Sequence, residues 1–210
     1  METILGLCIG IGLSAACGFR VFVPLLVMSI ASLIGWFEPM QGFEWLAMPS
    51  VCVALGIATL SEIAAYYIPW VDNALDTVAT SAAMIAGTLA TMAVSSGEMS
   101  QFASWAAAII VGGGTAGVVQ MNTVAARGIS TATTGGIANP ILSTGEWIGA
   151  FLLSVLSLFV PVLVVMVVLL LLVWGYAGYA VRNKTISIVR CYREWVCIRL
   201  RSFEWATFYS

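Results

Sequence analysis

The chain has 210 residues, of which 61% are hydrophobic and only 9% are charged. Soluble domains are usually about 45–50% apolar and about 25% charged, so this composition excludes a water-soluble fold and indicates an integral membrane protein. There is no histidine, and the five cysteines show neither metal-ligand spacing nor a disulfide framework. We therefore expect no metal site and no cofactor.

Apolar stretches along the chain are long enough to cross the hydrocarbon core, which takes about 20 residues in a helix. In chain order they are residues 3–36, 47–68, 75–96, 104–126 and 146–181. The first is interrupted where Gly18, Arg20 and Pro24 fall together, which predicts a broken or re-entrant helix between Gly18 and Pro24. Pro161 predicts either a kink in the last stretch or two segments that meet there. The predicted fold is an all-α, polytopic integral membrane helical bundle of five or six membrane segments.

A second interruption is predicted between Arg127 and Pro140, where the sequence reads RGISTATTGGIANP. Irregular backbone at membrane depth is tolerated only inside the protein or beside an aqueous cavity, and there it can build an ion or substrate site. Thr133, Thr134 and Asn139 are the binding candidates in that case. The alternative is a polar connector that caps the next helix, with Ser143 or Thr144 near its N-cap and Glu146 in its first turn. The glycine-rich run at 112–117 just before it indicates close helix packing.

Arg20 and Arg127 are the only basic residues in the first 181 positions. A charge in the hydrocarbon region costs at least about 2.5–3.5 kcal/mol, so each arginine is expected to face the protein interior or water. One interpretation is an anion-attracting or gating pair that lines a cavity. The other is a structural salt bridge, with Glu62 as a partner. We expect the segment around Arg127 to fold back toward residues 62–76, placing Arg127 close to Glu62 or an aspartate.

Three acids within 15 residues make the second candidate group: Glu62, Asp72 and Asp76. They could bind a cation or relay protons. Asp72 and Asp76 are four residues apart and share a face if their segment is helical. The simpler alternative for Asp72 is an N-cap that favours the dipole of the following helix. Glu62 stands out because apolar sequence surrounds it.

The charge pattern predicts the orientation. Residues 1–181 are predicted to form one transmembrane helical domain, and a weak similarity between 4–96 and 104–181 leaves open whether the domain is an internal repeat. These residues carry two basic residues against eight acids. Residues 182–210 form a tail with six basic residues interleaved with aromatics. This tail predicts a cytoplasmic C-terminus and a segment lying on an anionic leaflet rather than on nucleic acid. The lack of targeting features in the sequence is compatible with a bacterial inner membrane.

Three motifs carry a resemblance to a family. The stretches GLSAACGFRVFVPLL, SEIAAYYIPWVDNALDTVATSAAMIAGTL and AARGISTATTGGIANPILSTGE resemble the bacterial membrane family called domain of unknown function 4126, over about residues 4–165. The family pattern of an acid, an Ile-Pro and two aspartates falls on Glu62, Ile68–Pro69, Asp72 and Asp76. Its arginine before a Ser/Thr-Gly loop that ends in Asn-Pro falls on Arg127, Asn139 and Pro140. Many family members carry a charged Asp-Lys pair where this chain has Tyr66 and Tyr67. The resemblance implies a multi-pass membrane fold and no particular activity.

Two functions follow from these features. The first is a small transporter or channel-like protein for an ion or small solute, in which the acids bind or relay a cation or proton and the arginines balance that charge or attract an anion. The second is a non-transporting membrane scaffold or assembly protein whose buried charges are structural. An intramembrane enzyme is not expected, since no nucleophile–base pair has a recognisable motif. The expected partners are the lipid bilayer, the solute and further copies of the chain.

Overall fold

The fold is given by a computed structural model that describes residues 2–67, 69–95, 99–170 and 173. For residues 2 and 69–77 it describes the backbone only. The chain divides into two compact units, Met1–Val168 and Leu169–Ser210. The predicted tail at 182–210 and the predicted end of the membrane domain at 181 lie outside the described residues.

The described residues are mostly helical and contain no strand. The elements in chain order are α1 (Glu2–Phe19), α2 (Phe22–Leu33), a 3-10 turn (Glu44–Ala47), α3 (Pro49–Tyr66), α4 (Pro69–Ala93), α5 (Gln101–Ala107), a π-helical segment (Ala108–Gly113), α6 (Gly114–Thr134), α7 (Asn139–Phe159) and a short apolar helix (Pro161–Leu170). The π-helical segment joins α5 and α6 into one continuous helix, Gln101–Thr134.

Three of these helices are long and apolar enough to cross a membrane. They are Pro49–Tyr66, Gln101–Thr134 and Asn139–Phe159. Shorter apolar helices among the described residues include Thr3–Phe19 and Phe22–Leu33. The all-helical prediction is therefore confirmed for the described residues, while the number of five or six crossing segments stays a prediction.

The chain breaks in the first predicted interruption. α1 ends at Phe19, and α2 begins at Phe22 with Pro24 in its first turn. Between them, Arg20 and Val21 belong to neither helix. Proline is tolerated there because the first amides of a helix have no partner within that helix. The predicted break between Gly18 and Pro24 is therefore present. The last predicted stretch also divides at its proline, since Val160 separates α7 from the helix Pro161–Leu170.

The predicted interruption between Arg127 and Pro140 is wrong in extent. α6 continues to Thr134, and only residues 135–138 form a turn before α7 begins at Asn139. Ser and Thr hydroxyls in a helix can bond to the carbonyl of the preceding turn, so a Ser/Thr-rich sequence does not require irregular backbone. Gly135 ends α6 in the left-handed conformation with φ 66°, which glycine adopts without strain.

Two predicted helix starts are also corrected. Ser143 and Thr144 lie inside α7, and Glu146 lies beyond its first turn, because Pro140 already occupies the start of that helix. α4 begins at Pro69 rather than near residue 75, so Asp72 lies within its first turn and not at an N-cap. Asp72 and Asp76 are one helical turn apart in α4.

Small residues bring α1 and α4 together in the core. The Ser14 hydroxyl donates to the Gly87 carbonyl at 2.8 Å, and the Thr91 hydroxyl donates to the Gly10 carbonyl at 3.2 Å. A Cβ placed on Gly112 would lie 2.6 Å from the same Gly87 carbonyl. Without side chains at these positions the backbones approach closely, as small residues allow in membrane bundles. The glycine-rich run at 112–117 thus contributes to packing.

Candidate functional site

Arg20 lies at the break between α1 and α2 and points into the protein. It is only 1% exposed. Its backbone N–H still donates to the Ala16 carbonyl at 3.0 Å, so the residue is held at the end of α1. Its Nη2 donates to Glu146 Oε2 at 2.9 Å and to the Ser143 carbonyl at 3.3 Å, both on α7. The helix break therefore places a guanidinium against the N-terminal half of α7.

Arg127 reaches the same carboxylate from α6. It is 2% exposed, and its Nε and Nη2 donate to Glu146 Oε1 at 3.2 Å and Oε2 at 3.0 Å. Two parallel charge-assisted hydrogen bonds of this kind are among the stronger polar contacts in proteins. Arg127 lies seven residues before the end of α6 at Thr134, and Glu146 lies seven residues after the start of α7 at Asn139. Because a short turn joins the two helices, residues equally far from it fall side by side.

Tyr66, the last residue of α3, packs against both guanidinium groups. Its ring centroid lies 3.7 Å from Arg20 Cζ and 4.6 Å from Arg127 Cζ, and the residue is 5% exposed. An aromatic face attracts a cation, and the attraction grows when the pair is shielded from water. The ring therefore stabilises two positive charges in a place where lipid or apolar side chains could not.

Glu62 lies one turn before Tyr66 on α3 and binds the start of α2. Its Oε1 accepts from the Val21 amide at 2.9 Å, and its Oε2 accepts from the Phe22 amide at 3.1 Å. The first amides of a helix lack partners and carry a partial positive charge, so a carboxylate there is favourable. Glu62 acts as a cap supplied by another helix, and it fixes α3 against the helix break.

Some polar atoms in this cluster have no hydrogen-bond partner among the described residues. They are Nε and Nη1 of Arg20 and the hydroxyl oxygen of Ser143. Ser143 is 1% exposed, and its carbonyl is the one that accepts from Arg20. Buried polar groups are nearly always partnered in proteins, and leaving one unpaired costs about 1–3 kcal/mol. The site thus retains unused donors next to a buried positive charge.

The structure brings three of the predicted site residues together: Glu62, Arg20 and Arg127. Arg127 contacts the segment at 62–76 through Tyr66. The predicted salt bridge with Glu62 is wrong for the described residues, because both arginines pair with Glu146 and Glu62 accepts from the Val21 and Phe22 amides. The side chains of Asp72 and Asp76 lie outside the described residues. Within the described part of the chain, no three His, Cys, Asp or Glu residues gather in a way that could hold a metal ion.

The other predicted site residues lie at the end of α6 and in the turn that follows. The Thr133 and Thr134 side chains are exposed, and their hydroxyls donate to backbone carbonyls of α6 at 2.9 Å and 2.8 Å. The Asn139 amide donates to the Thr131 hydroxyl at 3.1 Å. The Asn139–Thr131 contact spans the turn between α6 and α7. None of these hydrogen bonds joins Thr133 or Thr134 to the cluster around Arg20.

Sequence reasoning missed Glu146, Ser143 and Tyr66. The sequence predicts a helix start close to Ser143 and Glu146, whereas α7 begins at Asn139, and nothing in the sequence around Tyr66 predicts a contact with an arginine. Arg127 and Glu146 lie equally far from the turn at 135–138, and this symmetry is the signal that could have found the pair. It becomes usable once Gly135 and Gly136, rather than the whole Ser/Thr stretch, are taken to mark the turn.

The fold and the site together define a class. The described residues form a helical protein with three helices that could span a membrane and with two buried arginines on one carboxylate. The chain belongs to the family described as Domain of unknown function (DUF4126), which matches residues 7–180. The resemblance drawn from the three motifs is thereby confirmed. No curated protein and no solved structure matches the chain.

Proposed function

We propose that this protein is a small multi-pass membrane transport protein, a transporter or channel, for an ion or small solute. The observation that carries the proposal is the helix break at Arg20, where a buried guanidinium retains unused donors. Broken helices whose ends meet charged groups inside a membrane bundle are typical of substrate sites in transporters. Ionisable residues within membrane segments commonly mark ion or substrate pathways.

The arrangement of charges agrees with a site that can be occupied and emptied. Arg20 and Arg127 share Glu146, while Glu62 holds the first amides of α2. Each of these contacts joins different helices, so a solute that competes for one contact would also alter how the helices pack. Such a coupling between occupancy and packing is what alternating access requires.

We further propose that the protein resides in a bacterial inner membrane with its C-terminus in the cytoplasm. The support is the sequence alone: six basic residues lie in 182–210 and two in the preceding 181 positions. Basic residues next to membrane segments favour the cytoplasmic side. Association into homo-oligomers belongs to the same proposal.

A membrane scaffold is the second candidate, and a specific observation favours it. Arg127 and Glu146 form two hydrogen bonds in a setting where both side chains are almost fully buried. A pair of this kind can fix the register of α6 against α7 without any solute. In a scaffold the cluster would only hold the helices together, and no solute would cross.

A flux screen separates the two candidates. The full chain is reconstituted into liposomes loaded with reporters for protons, potassium, chloride and small carboxylates, and the wild type is compared with Glu62→Gln. The glutamine keeps an acceptor oxygen for the start of α2 but removes the negative charge. Glu38→Gln is the matched control, because Glu38 is exposed in the loop after α2.

We expect the wild type to move at least one solute faster than protein-free liposomes do. Glu62→Gln should slow that flux several-fold, and Glu38→Gln should leave it unchanged. A correctly folded wild type that moves none of these solutes would exclude transport of them and favour the scaffold. Equal flux in all three proteins would remove Glu62 from the pathway.

A further inference from the structure

We infer that Arg20 and Ser143 form a binding site for a small monovalent anion inside the helical bundle. The inference rests on the proposed function and names its substrate class. Arg20 is 1% exposed, yet its Nε and Nη1 have no partner among the described residues. These two atoms carry three N–H donors. A buried cation with three unused donors favours an anionic ligand over an empty space.

Ser143 supplies a further donor beside Arg20. Its carbonyl oxygen accepts from Arg20 Nη2 at 3.3 Å, so the residue is an immediate neighbour of the guanidinium. Its hydroxyl is buried and has no partner among the described residues. Both groups offer hydrogens to a ligand. A cation would meet the positive charge of Arg20 directly, so the chemistry of the site selects an anion.

The start of α2 does not compete for this anion. Helix N-termini often bind anions, but the Val21 and Phe22 amides already donate to the two oxygens of Glu62. The free donors are those of Arg20 and Ser143. The anion is therefore expected beside the helix break and not at the helix terminus itself.

The surroundings restrict the charge and the size of the ligand. Glu146 already places a carboxylate oxygen 2.9 Å from Arg20 Nη2, and a second carboxylate, that of Glu62, caps the neighbouring helix. A divalent anion would be repelled by both carboxylates. Because Arg20 and Ser143 are both 1% exposed, the ligand has to be small. Chloride and nitrate meet these conditions and serve as probes.

Thermal unfolding of the full chain in lipid nanodiscs tests the site. A ligand that binds only the folded state raises the unfolding midpoint as its concentration rises. Sodium chloride or sodium nitrate replaces sodium gluconate stepwise at constant ionic strength, for the wild type and for Ser143→Ala. Ser154→Ala is the matched control, because Ser154 is buried on the same helix but its hydroxyl donates to the Ala150 carbonyl at 2.6 Å.

We expect the midpoint of the wild type to rise with chloride or nitrate. Ser143→Ala should need about tenfold more anion for the same rise, since it loses one hydrogen bond to a charged ligand. Ser154→Ala should follow the wild type. Arg20→Lys keeps the positive charge but replaces the three guanidinium nitrogens by one. If this variant folds, its unfolding midpoint should no longer depend on the anion concentration.

Two results would overturn the site. The first is a wild-type midpoint that is the same in chloride, nitrate and gluconate. The second is a rise that Ser143→Ala leaves unchanged, because the anion would then bind elsewhere. The flux screen reports on transport independently. Anion binding without flux would overturn the proposed transport but support the anion site. Flux without anion binding at Ser143 would overturn the anion site but support transport.

Discussion

Arg20 and Arg127 donate to the same oxygen of Glu146, at 2.9 Å and 3.0 Å. The first arginine comes from the break between α1 and α2, the second comes from α6, and the carboxylate belongs to α7. One side chain therefore joins three separate parts of the bundle. All three groups are almost fully shielded from water. Each buried charge is therefore stabilised mainly by the opposite charge of its partners.

Replacing Glu146 by glutamine should destabilise the protein strongly. The substitution keeps the shape of the side chain but leaves the guanidinium groups without this carboxylate. Breaking one member of a buried ion pair typically costs about 3–5 kcal/mol. We expect a loss of this order in the free energy of unfolding, measured by denaturant titration in detergent micelles.

Glu44→Gln is the control for that measurement. Glu44 is exposed, and its Oε2 accepts from the Gly42 amide in a loop outside the long helices. Its replacement should change the unfolding free energy by less than about 0.5 kcal/mol, as is usual at the surface. Equal losses in the two variants would show that Glu146 does not hold the cluster together.

Tyr66 should stabilise the cluster through its ring face. Tyr66→Phe keeps the ring over both arginines, whereas Tyr66→Leu fills a similar space without it. A desolvated cation–π contact is worth about 2 kcal/mol, so Leu should lower the unfolding free energy by at least that amount and Phe by less. Thermal unfolding of the three proteins ranks them. A Leu variant as stable as the Phe variant would show that the cation–π contacts do not stabilise the cluster.

Glu62 should protect the start of α2 from local opening. Glu62→Ala removes both acceptors for the Val21 and Phe22 amides, while Glu62→Gln keeps one. Loss of an N-terminal cap costs about 0.5–2 kcal/mol. Hydrogen–deuterium exchange at residues 21–25 should speed up most in the Ala variant and less in the Gln variant, with no change in α7. Uniform exchange across the three proteins would contradict the capping role.

The membrane class of the protein could be predicted from its composition. The first helix break could be predicted because Gly18, Arg20 and Pro24 lie close together in the sequence. The cluster around Glu146 could not. Its members come from positions 20, 66, 127 and 146, and only the packing of four helices brings them together. Pairing Arg127 with Glu146 requires the position of the turn, and the predicted interruption left 14 residues, 127–140, in which that turn could lie.

The same Ser/Thr residues explain the error in the turn. The sequence predicts irregular backbone at Thr133 and Thr134, but both residues are helical and their hydroxyls bond to carbonyls within α6. A hydroxyl can bond to a carbonyl within a helix or can cap a turn, so Ser and Thr residues do not show where the helix ends. The glycines do mark that position here. Gly135 and Gly136 have φ values of 66° and 89°, which favour a turn at those two positions.

Close packing behind Arg20 gives the last prediction. A Cβ on Gly18 would lie 2.6 Å from the Ala116 carbonyl oxygen and 2.6 Å from Val119 Cβ, so α1 and α6 could not keep their separation. Overpacking of this kind costs about 1–3 kcal/mol. Gly18→Ala should therefore lower the unfolding free energy by that amount.

Gly128→Ala is the matched substitution in α6, because a Cβ there meets nothing within 4 Å. It should raise the unfolding free energy by about 0.5–1 kcal/mol, since alanine restricts the unfolded chain more than glycine does. The two variants thus shift stability in opposite directions although the chemical change is the same. If Gly18→Ala were as stable as Gly128→Ala, α1 and α6 would not pack as tightly at Arg20 as the structure has them. Packing of α1 against α6 would then no longer hold the Arg20 guanidinium in its position against α7.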